Sequence, residues 1–301
     1  MSNNECVLEY VVECEDAGET VLGIVARKLM VSSRLIRKVK RKKNIFLNDR
    51  AVSVNATVRE NDRVKVIVEL ERNIFDPEDL DIEVVYEDLD ILIVNKRPFT
   101  VVHPTKGHPY GTLGNGIAYF NLQKGFDYKI RFINRLDRDT SGLVMIAKNP
   151  YGQQVISNQM IANEVDKVYY AVVEGIFEEK EGTINLPIGR RDEGDIERVV
   201  MEEGQQSVTH YKVVEELDGA SLIEINLETG RTHQIRVHMS HIGHSLIGDT
   251  LYGKESNLID RQALHAKSLT FKHVRTKEQC FVDSQLPEDM RTLVEKLRKN
   301  P

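Results

Sequence analysis

The stretch Asn134-Arg-Leu-Asp-Arg-Asp-Thr-Ser-Gly142, followed directly by Leu143-Val-Met-Ile-Ala147, decides the fold of this chain. Its first nine residues carry two carboxylates, two guanidiniums, two hydroxyls and a glycine, and the next five are apolar. A short apolar run bounded by turn residues predicts a buried strand, with the polar cluster in the loop that leads into it. Such a strand edge can hold a reactive carboxylate in a fixed pose. The simpler alternative is that Asp137 and Asp139 only satisfy turn backbone and neighbouring arginines.

The composition is that of an ordinary globular protein. The 301 residues are 41% hydrophobic and 29% charged, which argues against general disorder. No apolar run approaches the roughly 18 residues of a membrane span, and residues 1–5 lack the features of a signal peptide. Cys6, Cys14 and Cys280 are odd in number and scattered, so neither a disulfide framework nor a zinc knuckle is indicated. We therefore predict a reduced, cytoplasmic protein with no membrane partner.

The charge distribution is uneven, although the net charge is -6. Residues 26–50 carry ten Lys or Arg against the single acid Asp49, which is the footprint of a polyanion-binding surface. The patterns there predict two helices, over 21–30 and from Ser32 onward, followed by short strands at 45–50, 52–55 and 64–68. The alternative is a merely solvated charged helix. The module, residues 1–72, resembles the S4-type RNA-binding domain at Ser33-Arg34 and Val54-Asn55, and the resemblance implies RNA contacts from Arg34, Arg37, Lys38, Lys40, Arg41, Lys42 and Lys43.

The rest of the chain predicts a second, larger domain at 82–301, after an acidic linker at 73–81 that contains Pro77. Strands are predicted at 82–86, 91–94, 168–174, 183–188, 207–215 and 220–227, and helices near 113–120, from Pro150, at 234–242 and at 288–299. Many strands with few helices in mixed order predict an α+β fold, a mixed and largely antiparallel sheet with flanking helices, preceded by the small α/β module.

A second polar cluster, Thr229-Gly-Arg-Thr-His-Gln-Ile-Arg-Val-His238, opens an otherwise apolar helix. Gly230 permits a sharp turn before it, and Arg236 is suited to a partly buried carboxylate because its fork binds two oxygens. Such a partner would keep a buried Asp137 ionised, although spacing alone equally allows a structural ion pair. The histidines at 238, 241 and 244 suggest zinc, but no cysteine or acid completes the set, and Gly243 ends the helix between the last two. We predict no metal.

Three segments in order are similar to the signature segments of the RluA-type pseudouridine synthases: 135–142, Lys167-Val-Tyr-Tyr-Ala-Val-Val-Glu-Gly175 and 229–236. Asn95-Lys96 with Pro98, Val102-His-Pro104, Gly248-Asp249 with Tyr252-Gly253, and residues 261–266 extend the resemblance. It implies that Asp137 attacks the target uridine, at ribose C1′ or at uracil C6. It also implies that Tyr169 stacks on the base, Arg236 pairs with the aspartate, Leu264 lines the uracil pocket, and Arg135 and Arg231 contact RNA.

The resemblance predicts a monomeric enzyme that isomerises uridines in large-subunit ribosomal RNA. The isomerisation is redox-neutral, and the chain has no phosphate loop or dinucleotide motif, so no cofactor is expected. Ser141 lacks the flanks of a serine nucleophile, and we expect its hydroxyl to bond local backbone. A tRNA target and a non-catalytic ribosome assembly factor are the alternatives. The family often carries His where this chain has Asn134, and His-Pro where it has His244-Ser245 and His273-Val274, which affects loop shape and target rather than chemistry.

Overall fold

Residues 5–69 form a small sheet with two helices on it, within a computed structural model that describes residues 5–298. The strand order is β1-β4-β2-β3, with every pair antiparallel. Thr20 and Ser32 cap the two helices, as hydroxyl side chains commonly do. The elements are β1 (Glu5–Val11), α1 (Val21–Arg27), α2 (Ser33–Arg41), β2 (Ile45–Leu47), β3 (Arg50–Ala51) and β4 (Arg63–Glu69).

The predicted strand at 52–55 is wrong. This segment turns and passes over the start of α1, where the carbonyls of Val54 and Ala56 accept hydrogen bonds from Leu22 and Val21, 2.8 Å each. The alternating valines therefore belong to a loop and not to a strand. The carbonyls of this loop accept hydrogen bonds from the free N–H groups at the start of α1.

Ten of the remaining strands form one sheet with the order β10-β13-β14-β9-β15-β8-β6-β5, in which β16 also pairs with β15 and β7 with β8, and β11 pairs separately with β12. Among the described strands β15–β8 is the one parallel pair, so the predicted mixed, largely antiparallel α+β fold is confirmed. The elements are β5 (Glu83–Glu87), β6 (Ile91–Lys96), α3 (Leu113–Gln123), β7 (Arg131–Phe132), β8 (Ser141–Ala147), α4 (Pro150–Ile161), β9 (Asp166–Glu174), β10 (Glu181–Asn185), β11 (Ile188–Gly189), β12 (Val199–Val200), β13 (Val208–Glu216), β14 (Ala220–Leu227), α5 (Gln234–His241), β15 (Leu264–Lys272), β16 (Gln279–Asp283) and α6 (Glu288–Leu297).

Strand β8 is the predicted apolar strand, and all seven of its residues are buried. It runs parallel to β15, with Gly142 opposite Ala266, and β9 places Tyr169 opposite the same Ala266. Gly142 has a φ of 112°, and a Cβ there would lie 2.6 Å from the Ala266 nitrogen, so this crossing requires glycine. The loop before β8, the start of β15 and Tyr169 are thereby brought to one edge of the sheet.

The small unit packs against the larger one through a shared apolar core and through hydrogen bonds between the two units. Arg275 binds both oxygens of the fully buried Asp90 at 2.6 and 3.1 Å, and it also donates to the Val7 carbonyl at 3.0 Å. The Ser32 amide donates to Gln154 Oε1 at 2.8 Å. Two hydrogen bonds tie residues 76 and 78 of the predicted linker to α3. None of the helices within residues 5–298 is long and apolar enough to cross a bilayer.

Candidate active site

Asp137 lies in the loop between β7 and β8, and the buried side chain of Lys96 binds the backbone of that loop. Lys96 Nζ donates to the carbonyls of Arg97, Thr100 and Arg138 at 3.0, 2.9 and 2.8 Å. These three acceptors match the three N–H bonds of an ammonium group. Burial, with the charge of a nearby arginine, lowers the pKa of Lys96 to about 7. The residue after Asp137 is thereby fixed to the loop that follows β6.

The other side of the loop is fixed from the segment before β15. The buried Arg261 donates to the Asp139 carbonyl at 3.0 Å, and Gln262 donates to Thr140 Oγ1 at 3.2 Å. The Asp139 carboxylate accepts from Arg138 at 2.7 and 3.1 Å. Of the two aspartates in the loop, Asp139 is therefore ion-paired with Arg138, while Asp137 lines the cleft.

Ser141 belongs to a buried polar chain, so the expectation that it bonds only local backbone is wrong. Its hydroxyl lies 2.9 Å from His265 Nδ1, and His265 Nε2 lies 2.9 Å from the Ser284 hydroxyl. Burial, with the charges of Arg261 and Lys267, lowers the pKa of His265 to about 4. The neutral imidazole of His265 therefore links the first residue of β8 to the residue that follows β16. Sequence spacing did not predict this series of hydrogen bonds, because its three residues come from separate segments.

Arg236 on α5 contacts Asp137, but its stronger partner is Asp249. Its Nε and Nη2 each bind an Asp249 oxygen at 2.7 Å, whereas Nη1 lies 3.3 Å from Asp137 Oδ2. Asp249 is fully buried and also accepts from the amides of Leu251 and Tyr252 at 3.0 and 3.1 Å. Burial opposes the charge on Arg236, but the hydrogen bonds and charge of Asp249 raise its pKa above the usual value. The arginine is a fixed positive charge beside Asp137.

His233 is the second group that faces Asp137, with Nε2 3.9 Å from Oδ2. Its Nδ1 lies 2.8 Å from the Tyr252 hydroxyl, which accepts from the Arg198 amide at 2.7 Å. The arrangement that satisfies both contacts has the hydroxyl donating to Nδ1, which leaves Nε2–H toward Asp137. Burial lowers the pKa of His233, opposed by the charge of Asp137. The residue with a left-handed backbone in this turn is His233, with φ 58°.

Tyr169 and Leu264 form the apolar side of the same site. Both line a small cavity of about 90 Å³ together with Asp137 and Arg236. Tyr169 is 9% exposed, and among the described residues its hydroxyl has no hydrogen-bond partner. Burial and the charge of Asp137 raise the pKa of Tyr169 to about 12. The ring therefore presents a neutral phenol to anything that enters the cavity.

The cavity opens into a cleft of about 1060 Å³ whose charged residues are mainly cations, six against two acids. The exposed Arg135 and Arg231 are on this cleft, so all six site residues predicted in the larger domain lie together. Asp137 and Glu228 are its acids. Sequence reasoning gave no role to four further cations on the wall. Arg138 and Lys167 lie within the quoted segments, and Arg190 and Arg198 flank short strands outside any motif.

The predicted cations of α2 lie outside this cleft and form a separate basic surface. Six of the seven are exposed, and Lys38 is half-buried. Lys38 pairs with Glu71 at 2.9 Å, and Lys42 pairs with Glu69. Among residues 5–298, no ion pair engages the remaining five, which are Arg34, Arg37, Lys40, Arg41 and Lys43.

The histidine trio at 238, 241 and 244 does not form a ligand set. His238 is fully buried, with Nδ1 2.9 Å from Thr209 Oγ1 and Nε2 3.0 Å from the Leu186 carbonyl, so neither ring nitrogen is free. His244 instead stacks on Phe177 with ring centroids 3.7 Å apart. His238 and His244 are therefore packed within the fold, whereas His241 is exposed.

Comparison with known proteins identifies the family. The model of the RNA pseudouridylate synthase family matches residues 90–241. An uncharacterized RNA pseudouridine synthase of Bacillus subtilis (strain 168) is 42% identical over 261 residues, which cover 85% of this chain and 86% of that protein. The ribosomal large subunit pseudouridine synthase D of Escherichia coli O157:H7 is 34% identical over 289 residues, 91% of this chain and 84% of that protein. The structure of human RNA pseudouridylate synthase domain containing 1 is similar with a TM-score of 0.57 and 26% identity, over 76% of this chain and 99% of that one.

Proposed function

Because the chain belongs to the RNA pseudouridylate synthase family and is an RNA pseudouridine synthase, we propose that Asp137 is its nucleophile and that it isomerises specific uridines in large-subunit ribosomal RNA. The observation that carries the proposal is the position of Asp137. It lies at the floor of a cationic cleft, 3.3 Å from a buried guanidinium and beside a buried tyrosine.

The proposed chemistry starts with the Asp137 carboxylate attacking ribose C1′ or uracil C6. The bond between C1′ and N1 breaks, the uracil turns, and C5 bonds to C1′. The bond between the Asp137 oxygen and the uridine breaks and frees the carboxylate, while the C5 proton leaves and N1 gains one. Arg236, held in place by two hydrogen bonds to Asp249, stabilises negative charge on the free carboxylate before the attack and after its release. No electron enters or leaves, so the residues of the site suffice for the balance.

The remaining site residues bind the uridine and its flanks. A paired base is inaccessible, so the enzyme takes the uridine out of the stack before reaction. We assign the Tyr169 ring to stacking on the uracil, Leu264 to its apolar edge, and Arg135 and Arg231 to phosphates at the cleft wall. The Tyr169 phenol stays neutral, since its pKa is raised to about 12, so its hydroxyl can donate a hydrogen bond to the uridine.

The ribosomal target is supported by the names of relatives, such as the large-subunit synthase of Escherichia coli, and by the basic surface on α2. We propose that residues 1–72 are an S4-like RNA-binding domain, residues 73–81 a linker and residues 82–301 the catalytic domain of a cytoplasmic monomer. A tRNA target remains the alternative within the class. A non-catalytic assembly factor would not need Asp137, Tyr169 and Arg236 in one cavity.

The test is to map pseudouridines in total RNA from cells with and without this protein. We expect defined sites in large-subunit ribosomal RNA to disappear with the protein and to return with the wild-type gene. Loss confined to tRNA would replace the target, and no loss in any RNA would favour the assembly factor.

A further inference from the structure

Phe99 occupies a backbone conformation that suits few residues. Its φ is 61°, in the left-handed region, where a bulky side chain is an outlier. The other described non-glycine residues with positive φ are asparagines, an aspartate, lysines, a methionine and a histidine. Glycine or asparagine would adopt this turn at lower free energy, so the turn itself does not explain a phenylalanine.

Packing does not explain Phe99 either. The residue is 56% exposed, and among the described residues its ring makes no aromatic or cation–π contact. A buried ring would gain stability that could offset a strained backbone, but this one leaves most of its surface in water. The side chain is therefore mostly exposed on a strained turn, and no aromatic or cation–π partner holds it among residues 5–298.

The turn is rigidly tied to the loop of the proposed nucleophile. Lys96 Nζ binds the carbonyls of Arg97 and Thr100, on either side of Phe99, and the same ammonium binds the carbonyl of Arg138, next to Asp137. Strained residues persist where the surroundings fix them in this way, and they cluster at binding sites. Two residues further on, the chain enters the wall of the cleft at 101–103.

We propose that Phe99 is an RNA-stacking residue at the rim of the cleft, which receives an unpaired base of the substrate strand beside the target uridine. The proposal rests on the proposed function and adds a requirement for a single-stranded flank. The surroundings favour RNA over a protein partner, because the exposed Arg97 lies two residues before Phe99, and the charged residues of the cleft that begins at Val101 are six cations against two acids. A base stacks on an aromatic ring whatever its sequence, so Phe99 selects for an open strand rather than for one nucleotide.

The experiment compares full-length Phe99→Gly, Phe99→Leu and Phe99→Tyr with the wild type on an unmodified large-subunit ribosomal RNA transcript. Phe281→Leu is the matched control, since Phe281 is 67% exposed on β16 and does not line the cleft. We expect KM to rise roughly tenfold for Gly and Leu, with kcat within about twofold, while Tyr and the control stay within about twofold of wild type. The melting temperature of Phe99→Gly should not fall, because the strain is relieved and no buried contact is lost.

A second readout does not depend on turnover: affinity for a mixed-sequence single-stranded 12-nucleotide RNA and for the same sequence as a duplex. Phe99→Gly and Phe99→Leu should weaken single-strand binding roughly tenfold and leave duplex binding unchanged. Single-strand affinity equal to wild type, a loss in Tyr as large as in Leu, or a fall of several degrees in the melting temperature of Phe99→Gly would each overturn the proposal. An inactive wild type with the expected binding pattern would instead count against the proposed function alone.

Discussion

Breaking the Arg236–Asp249 pair is the sharpest test of how the site is built. Both groups are buried, Asp249 fully, and two hydrogen bonds of 2.7 Å join them. Arg236→Gln leaves the Asp249 charge with only the amides of residues 251 and 252, so it should cost about 3–5 kcal/mol. For a chain of this size that corresponds to a fall of roughly 10 °C in melting temperature.

The double variant Arg236→Gln with Asp249→Asn removes both charges together and permits an amide–amide hydrogen bond. We expect it to be more stable than the sum of the two single variants predicts, by about 2 kcal/mol, because no uncompensated buried charge remains. It should nevertheless form no pseudouridine at a measurable rate, since the positive charge beside Asp137 is gone. Urea unfolding of all four proteins measures the coupling, and turnover on the ribosomal RNA transcript measures the activity. Additivity within about 0.5 kcal/mol would refute this account of the pair.

Three further predictions concern other parts of the chain. Gly142→Ala should lower the free energy of unfolding by at least about 4 kcal/mol, because the new Cβ would overlap the β15 backbone. Gly219 also has a positive φ but open space around it, so Gly219→Ala should lower it by only about 1–2 kcal/mol. Urea unfolding of both variants separates the effect of overlap from that of backbone strain. His265 has its pKa lowered to about 4 from 6.5, so the unfolded chain binds more protons between these pH values. The stabilisation is therefore complete above pH 6.5 and falls by about 3 kcal/mol as the pH drops to 4, and His265→Gln should show a flatter dependence of the unfolding free energy on pH. Arg34→Glu and Arg41→Glu, exposed and without ion pairs among residues 5–298, should weaken RNA binding and flatten its salt dependence without changing the melting temperature; an unchanged salt slope in filter-binding assays would count against the basic surface.

Local patterns predicted much of this fold because the responsible contacts are local. The run at 143–147 is uniformly apolar, and β8 is buried throughout. Pro150 begins α4 as expected, and α5 ends before Gly243. The alternating valines of 52–55 led to a wrong prediction of a strand. The same alternation occurs in a loop whose carbonyls bind the N–H groups of a helix start, and the sequence does not show which partner those carbonyls bind.

The candidate site was predictable as a set of residues but not as a set of contacts. The parallel pairing of β8 with β15 joins segments more than 120 residues apart, and it brings Leu264 and Tyr169 to the Asp137 loop. No periodicity encodes such a pairing. For the same reason, the sequence motifs include Asp249 and Lys96 but do not predict what these residues bind. The structure shows that Asp249 binds Arg236 and that Lys96 binds the backbone of the Asp137 loop.

The central claim is that Asp137 is the nucleophile of an RNA pseudouridine synthase. The most direct measurement is pseudouridine formation by purified Asp137→Asn protein on the unmodified ribosomal RNA transcript, with RNA affinity measured alongside. We expect no pseudouridine above background and an affinity within about threefold of wild type, because the substitution removes the reacting oxygen and preserves the side chain's shape. Pseudouridine formed by the variant at a rate near that of wild type would contradict the claim.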